Sequence, residues 1–299
     1  MLNKSPLVSI AIITYNQKAY LRECIESCLL QSYSNIEIIV ADDCSTDGSQ
    51  EMLIEYKNKF PDKFILKLAT SNKGITTNSN SAHFACSGKY IAWLGGDDLM
   101  FKDKILNQVN FMESNDECSI CYHDLLVFDS DTERDMYNFS EINKPREGYA
   151  NIAFKYGTFN GASSSMVRRS DTPLQGFNEL IPVASDWLYW IETLMSKNGK
   201  ICYIDKVLGK YRRHSKNITN ENNKIKQNTL DHLNTCNIIL AKNPNFISEF
   251  KSIISQNYFS MRKSLNYIDA IVLALKISVK IKYLIAFFVY LITFRKVKL

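Results

Sequence analysis

The residues in this sequence best suited to chemistry are carboxylates set in glycine- and serine-rich turns. Gly95-Gly96-Asp97-Asp98 follows an apolar run, Tyr90–Leu94. Glycines let a backbone approach a ligand closely. Paired carboxylates suit a hard divalent cation, which takes one or two of them and fills its shell with water and phosphate. The competing use is a polar turn whose Asp caps the next helix. Asp42-Asp43-Cys44-Ser45 ends a second apolar run, Ile36–Ala41. An Asp there can accept a hydrogen bond from a ring N–H or from sugar hydroxyls, and capping competes evenly, with Asp47 or Ser49 as N-cap. Asp186 opens a helical pattern, where a carboxylate is favoured in any case. Tyr211-Arg212-Arg213-His214 sets two cations beside a histidine.

These turns need elements to position them. Leu7–Thr14 is a β-branched apolar run of the kind buried on both faces. Gln17 to Gln31 carries Tyr20, Leu21, Cys24, Ile25, Cys28 and Leu29 at helical spacing. Strands over Ile36–Ala41, Phe64–Ala69 and Tyr90–Leu94 then alternate with helices over about 49–58 and Ile75–Cys86. Such alternation implies crossovers and a parallel sheet covered on both faces. Ligands of open α/β sheets bind beyond the carboxyl ends of the strands, which is where Thr14-Tyr15-Asn16, Asp42-Asp43 and Asp97-Asp98 fall. Four carboxylates there repel one another unless a cation or a donor-rich ligand shares them. From residue 104 the pattern loosens. A helix over Ile105–Met112, strands over Ser119–Phe128, Ala162–Val167 and Lys200–Ile204, and a helix over Trp187–Ser196 are expected. Ser130 to Glu147 reads as a mobile polar loop, and 222–241, 246–264 and 267–294 as helices.

The order of these motifs resembles family 2 glycosyltransferases, over about residues 7–217. Val8 to Asn16 is similar to that family's first strand and T-Y-N turn, and Gln31 to Asp43 to its Q-(S/T)-Y…V-D-D stretch. Asn72-Lys73-Gly74 with Asn80 matches its N-x-G…N helix, and Gly96-Asp97-Asp98 stands at its D-x-D metal motif. The resemblance implies an α/β GT-A fold: a mostly parallel twisted central sheet flanked by helices, with a helical C-terminal extension. Residues 1–217 form the catalytic domain, 1–103 its nucleotide-sugar half and 104–217 its acceptor half, followed by a helical region over 218–299. It implies donor contacts from Thr14, Tyr15, Asn16, Asp43, Asn72, Gly74, Asn80, Asp97 and Arg212. Asp43 meets the base, taken as uracil, and Asp97 the ribose. Asp98 binds Mn²⁺ or Mg²⁺, with His214 as a further ligand. Ser185-Asp186-Trp187-Leu188-Tyr189-Trp190 is similar to the family's E-D-x-x-L-W segment, which makes Asp186 the base for inverting transfer. Trp187 and Trp190 are candidates for a sugar-stacking floor or for the core. The chain departs from the family at Gly95 and Ser185, where acids are usual, and at Ser79, where Arg is common.

Composition narrows the partners. The net charge is +5, yet residues 261–299 hold eight Lys/Arg against Asp269, a balance of +7 that leaves −2 elsewhere. No nucleic-acid surface is expected on the main body. The eight cysteines are scattered, and without a recognisable leader they are expected reduced, in the cytoplasm. Cys118-Ser119-Ile120-Cys121 lacks a second pair and reads as core rather than zinc. Tyr283–Phe294 is uncharged over twelve residues, too few for the roughly twenty that cross a bilayer. With flanking lysines and arginines, residues 265–299 suit an anionic membrane surface on the cytoplasmic side; a core-covering helix or a homodimer interface competes. The whole points to a hexose moved from a UDP-sugar to a glycan acceptor, lipid-linked, in bacterial surface polysaccharide synthesis. The alternatives are a nucleotidyltransferase and a non-catalytic sugar- or nucleotide-binding protein.

Overall fold

The computed structural model describes residues 5–214, 217, 222–253, 267–268, 271–272, 275, 281–293 and 297. Val8–Thr14 (β1), Ile36–Asp42 (β2), Phe64–Leu68 (β3) and Tyr90–Gly95 (β4) are parallel, in the order β3-β2-β1-β4. Val8, Ile10, Ala11 and Ile12 are wholly buried, as a strand covered on both faces requires. Helices Lys18–Leu29 (α1), Ser49–Lys59 (α2) and Ile75–His83 (α3) make the crossovers. The face of α1 that is buried carries Leu21, Cys24, Ile25 and Cys28, the stripe the helical spacing predicts. Thr14 pairs with Asp42, and Ile13 with Gly95. The three turns that follow these strands therefore open at one level of the sheet edge.

Beyond β4 come Leu99–Met100 (β5) and Lys104–Glu113 (α4), and then the sheet changes character. Cys118–Asp129 (β6), Asp135–Asn138 (β7), Met166–Arg168 (β8) and Lys200–Arg213 (β9) extend it to β3-β2-β1-β4-β8-β6-β9-β5, with β7 beside β6. β8 is antiparallel to β4 and β6, β5 to β9, and β7 to β6, while β6 and β9 are parallel. The sheet is thus mixed, parallel through its first half only. A short link such as that between β6 and β7 closes a hairpin, whereas a parallel pair needs a crossover of a dozen residues or more.

The stretch expected to be a mobile loop, Ser130 to Glu147, holds β7 and the short helix Phe139–Ile142 (α5). Glu141 accepts from the Asn138 N–H at 2.8 Å and fixes the start of that helix. Ala162–Ser164 is a 3₁₀ turn rather than the start of a strand. β9 runs nine residues past the expected Ile204, to Arg213, because its second half continues to pair with β6. Ala150–Tyr156 (α6) and Ser185–Ser196 (α7) complete this half.

Two compact units emerge, Met1–Ala153 with Gly157–Ser215, and Phe154–Tyr156 with Lys216–Leu299. The second holds Asn222–Lys242 (α8), a 3₁₀ turn at Pro244–Phe246, a helical segment at 247–253 and Ile281–Ile292 (α9). The helices expected over 246–264 and 267–294 fall partly outside the described residues. Among the described residues no helix is long and apolar enough to cross a membrane.

Candidate active site

The turn after β4 is shaped by what glycine permits. A Cβ on Gly96 would meet Thr14 Cβ and Oγ1, both at 2.8 Å, so this turn packs against the Thr14 side chain with no room for a larger residue. A Cβ on Gly95 would lie 2.8 Å from Asp97 Oδ1. The space beside Gly95 is thus taken by the carboxylate of Asp97.

The two aspartates of this turn have different surroundings. Asp98 is 2% exposed. Its Oδ1 accepts from the Arg212 N–H at 2.9 Å, and its Oδ2 accepts from the Ser163 hydroxyl. Burial, and then the neighbouring Asp97, push its carboxyl well above the ordinary range. Asp97 keeps an 18% exposed side chain, and its Oδ2 lies 3.0 Å from His214 Nε2 and accepts from Gln17 Nε2 at 3.1 Å. Asp97 is therefore the acid of this turn that a ligand entering from solvent meets, with the buried His214 behind it.

β9 delivers the Tyr211-Arg212-Arg213-His214 segment to this turn. The Arg212 guanidinium lies between the rings of Tyr20 and Phe128, at 4.6 and 4.7 Å. It donates to Glu23 Oε2 at 2.5 Å and to the Asp97 carbonyl at 2.8 Å. Arg212 is 4% exposed, so the structure places it behind the turn as a brace. The Tyr20 ring also lies 4.9 Å from that of His214. Helix α1 thus supports Arg212 and His214.

The turns after β1 and β2 are stitched together. Asn16 and Cys44 both adopt positive φ, at 53° and 66°. The Asn16 N–H donates to Ser45 Oγ at 2.8 Å, and Asn16 Oδ1 accepts from the Thr46 N–H at 2.8 Å. Asp42 turns inward, accepting from the Ser45 N–H at 2.8 Å and from Gln50 at 2.7 Å. Asp43 sits at the start of α3, where its two oxygens accept from the Lys73 and Gly74 N–H groups at 2.8 and 2.9 Å. Asp43 also lines a cavity of about 430 Å³ with Lys67, Thr70, Lys73, Thr77 and Asn78. That volume falls within the range of small-molecule sites. Thr14 is buried and Tyr15 and Asn72 are exposed.

Asp186 stands in the first turn of α7, one residue inside its start. Its Oδ1 accepts from the Trp187 N–H at 2.9 Å, and burial raises its carboxyl above the ordinary range. Ser185 beside it is tied to Thr76 in the first turn of α3, Oγ to Oγ at 2.8 Å. Asp43 is thus held by the two residues that lead into α3, and Ser185, the neighbour of Asp186, by the first turn of that helix. Trp187 and Trp190 are buried, with Trp187 Nε1 donating to the Ala153 carbonyl at 2.9 Å. Both serve the core, and neither forms a stacking floor. Cys118 and Cys121 are buried in β6 with free thiols.

A divalent cation suits Asp97 and His214. One carboxylate oxygen and one imidazole nitrogen stand 3.0 Å apart at the open end of the sheet, and Mg²⁺ or Mn²⁺ is commonly held by few protein groups with phosphate and water completing the shell. Among the described residues no group of three or more His, Cys, Asp or Glu is assembled. Motif spacing missed Ser163, Gln17, Glu23 and Tyr20, which hold the turn. The run Gly161-Ala162-Ser163-Ser164-Ser165 is the one signal among these, since small residues allow close approach beneath a site.

Comparison with known proteins decides the family. The sequence model described as Glycosyl transferase family 2 matches residues 9–172. The chain belongs to this family. Among curated relatives, a putative teichuronic acid biosynthesis glycosyltransferase, TuaG of Bacillus subtilis, is 31% identical over 232 residues, covering 77% of the chain and 88% of the relative. The putative glycosyltransferase EpsE of the same organism is 33% identical over 157 residues, 52% of the chain and 56% of that protein's length. Among solved structures, S. aureus TarS aligns with a TM-score of 0.64 at 16% identity, over 93% of the chain and 50% of TarS. The mannosyltransferase PcManGT from Pyrobaculum calidifontis, solved with GDP-Man and Mn²⁺, aligns at 0.63 and 14% identity, over 97% of the chain and 81% of its own. These likenesses establish the GT-A fold for this family member.

Proposed function

We propose that the chain is an inverting, metal-dependent glycosyltransferase that moves a hexose from a UDP-sugar to a glycan acceptor, lipid-linked, in bacterial surface polysaccharide synthesis. The observation that supports it is that the turns carrying Asp43 and Asp97 open at one level of the sheet edge, while Asp43 and Ser185, the neighbour of Asp186, are bonded at the entry and first turn of α3. The Asp43 cavity takes the nucleobase, with Thr14, Tyr15, Asn16, Asn72 and Gly74 around the nucleoside. Asp97 and His214, in place of Asp98, hold the Mn²⁺ or Mg²⁺; Asp98 and Arg212 fix the turn from behind. A cation there offsets charge on the donor's diphosphate as the bond to the sugar breaks. Asp186 takes the proton from the acceptor hydroxyl as that oxygen attacks the anomeric carbon, and its raised carboxyl suits a base. TarS has been solved with UDP-GlcNAc and TuaG is named for teichuronic acid synthesis, which supports the donor and the acceptor class. The test is a panel of UDP-, GDP- and dTDP-sugars read by thermal stabilisation and by metal-dependent hydrolysis. UDP-sugars are expected to lead in both; a dTDP- or GDP-sugar leading both rejects the uracil assignment.

The membrane reading concerns α9. Ile281, Ile285, Phe288, Leu291 and Ile292 are all exposed, and spacings of three and four place them on one stripe. Twelve residues of helix extend about 18 Å, short of the roughly 30 Å of a bilayer core. Lys276, Lys280, Lys282, Arg295, Lys296 and Lys298 flank the stripe in sequence and no acid follows Asp269. A second copy would bring like charge to like, so this face suits anionic headgroups on the cytoplasmic membrane surface. Full-length Phe288→Glu is expected to sediment with phosphatidylglycerol-containing vesicles at least tenfold less than the parent. Unchanged sedimentation, or a dimer that Phe288→Glu dissolves without lipid, overturns this reading.

A further inference from the structure

The sequence places Asn80 among donor contacts, yet its side chain faces elsewhere. Asn80 is buried in α3, and its amide grips the backbone of a distant residue on both sides. Oδ1 accepts from the Phe177 N–H at 2.7 Å, and Nδ2 donates to the Phe177 carbonyl at 2.9 Å. Such a pair fixes both position and orientation of the gripped peptide, and leaves either partner unsatisfied if the amide is removed. Gly176 makes the approach feasible: a Cβ there would lie 2.5 Å from Asn80 Oδ1, and its φ is +68°. The gripped residue then acts through its ring. Phe177 stacks on Tyr189 of α7 with centroids 4.1 Å apart and planes 1° from parallel. One turn earlier on α3, Thr76 Oγ1 bonds the Ile181 carbonyl at 2.7 Å and Ser185 Oγ at 2.8 Å. The segment leading into α7 is thus held at Phe177, Ile181 and Ser185, and its next residue is Asp186.

We infer that Asn80 and Thr76 are positioning residues for the Asp186 carboxylate, acting on the acceptor side of the reaction and not on donor binding. This rests on Asp186 being the base proposed above. The two residues that lead into this helix offer their N–H groups to Asp43, so the entry to α3 fixes the base pocket and its buried side chains fix the segment that carries the proton acceptor. A shift of about 1 Å at a reacting group costs on the order of a hundredfold in rate, and a clamp of this kind prevents such a shift.

The experiment uses the full chain with Mn²⁺ and the UDP-sugar that gives the fastest hydrolysis. Asn80→Ala, Thr76→Val and Thr76→Ser are compared with the parent by hydrolysis rate, by calorimetric affinity for UDP and by melting temperature. The expected result for Asn80→Ala and Thr76→Val is a rate loss of tenfold or more with UDP affinity within twofold, and recovery of most of the rate in Thr76→Ser. Loss of UDP affinity in proportion to rate overturns the inference and returns Asn80 to the donor site. An unchanged rate also overturns it. Should Asn80→Ala fail to fold, the Thr76 pair alone decides between these outcomes. Asp186→Asn keeps the two readings separable: if it retains the parent's rate, the base assignment itself falls, whereas an inactive Asp186→Asn beside fully active Thr76→Val sinks only the clamp.

Discussion

Two regions of the molecule hold carboxylates by different means. In the parallel half, Asp43 and Asp97 ride on strand ends whose level is set by register and by apolar burial on both faces. Their placement follows from the sheet itself, reinforced where Gly96 lets β1 and the β4 turn touch. In the second half the sheet is mixed, and Asp186 stands on a helix reached through a long irregular segment. There the placement depends on a side-chain amide and a hydroxyl gripping backbone at Phe177 and Ile181, and on a bond between the Thr76 and Ser185 hydroxyls. The first arrangement is robust because many apolar contacts must fail together. The second is specific but thin, because each grip is a few hydrogen bonds, each worth only about 1 kcal/mol net.

The largest expected effects separate the two carboxylates by what they support. Asp97→Ala is expected to lower metal-dependent hydrolysis of a UDP-sugar on the order of 10³-fold and to abolish the extra thermal stabilisation that Mn²⁺ adds to UDP. Asp186→Asn is expected to cost about 10²- to 10⁴-fold in rate while leaving that stabilisation intact. If Asp186→Asn also loses the metal-enhanced stabilisation, the two regions form one binding unit and the division between them breaks. For the parent, the rate is expected to rise with pH along a limb lying above the ordinary carboxylate range, because burial raises Asp186 and only its ionised form accepts a proton. Asp186→Asn should lack that limb.

The same division governs what could be read from residues alone. β1 to β4 and α1 were legible because burial on both faces writes apolar runs and because α1 carries its own stripe, whereas α3 buries mostly polar side chains, Thr76, Asn78, Ser79, Asn80 and His83. The turn residues were legible as a set for the same reason, since register puts strand ends level. Which aspartate faces solvent was not legible: that follows from Ser163 and the Arg212 N–H closing on Asp98, both more than sixty residues away in sequence. Asn80 matched a donor motif in spacing, yet the Phe177 backbone claims its amide. The mixed half was harder throughout. Short antiparallel strands such as Met166–Arg168 carry too few residues for a period, and β9 beyond Ile204 is too polar to announce a strand.

A smaller effect tests the robust region at its tightest point. Gly96→Ala puts a methyl group 2.8 Å from Thr14 Cβ and Oγ1, and overpacking of this sort costs about 1–3 kcal/mol. The midpoint of urea unfolding is expected to fall accordingly. Gly95→Ala instead crowds Asp97 Oδ1 at 2.8 Å, where a rotation of the carboxylate can relieve the contact. It is expected to lose more rate than stability. Equal stability losses in the two variants would mean that the turn yields as a whole and that strand register does not fix it.

The smallest effect concerns a second buried cation that, beside Arg212, joins the regions. Lys104, wholly buried in the first turn of α4, donates through Nζ to the Ser163 carbonyl at 2.8 Å. Ser163 in turn donates to Asp98, so the lysine reaches the parallel half's turn through a residue of the mixed half. Burial pushes the ammonium down to about 8 from 10.5, against the opposing pull of Asp98 and of Cys24, Cys28 and Cys121 nearby. Below about pH 8 both folded and unfolded chains carry the charge, and the folded one bears the whole cost of burying it. Between about 8 and 10.5 the unfolded chain binds more protons, so stability rises with pH over that window. Lys104→Met removes the titration, and the unfolding free energy of the variant relative to the parent is expected to drop by on the order of 3 kcal/mol from pH 7.5 to 10.5. At neutral pH the gain from the missing charge is offset by an unpaired Ser163 carbonyl, so the two proteins should differ little there. A difference that stays flat with pH would show that Asp98 fully compensates Lys104. The two regions would then be joined by a buried ion pair, and their separate means of holding carboxylates would meet in one electrostatic unit.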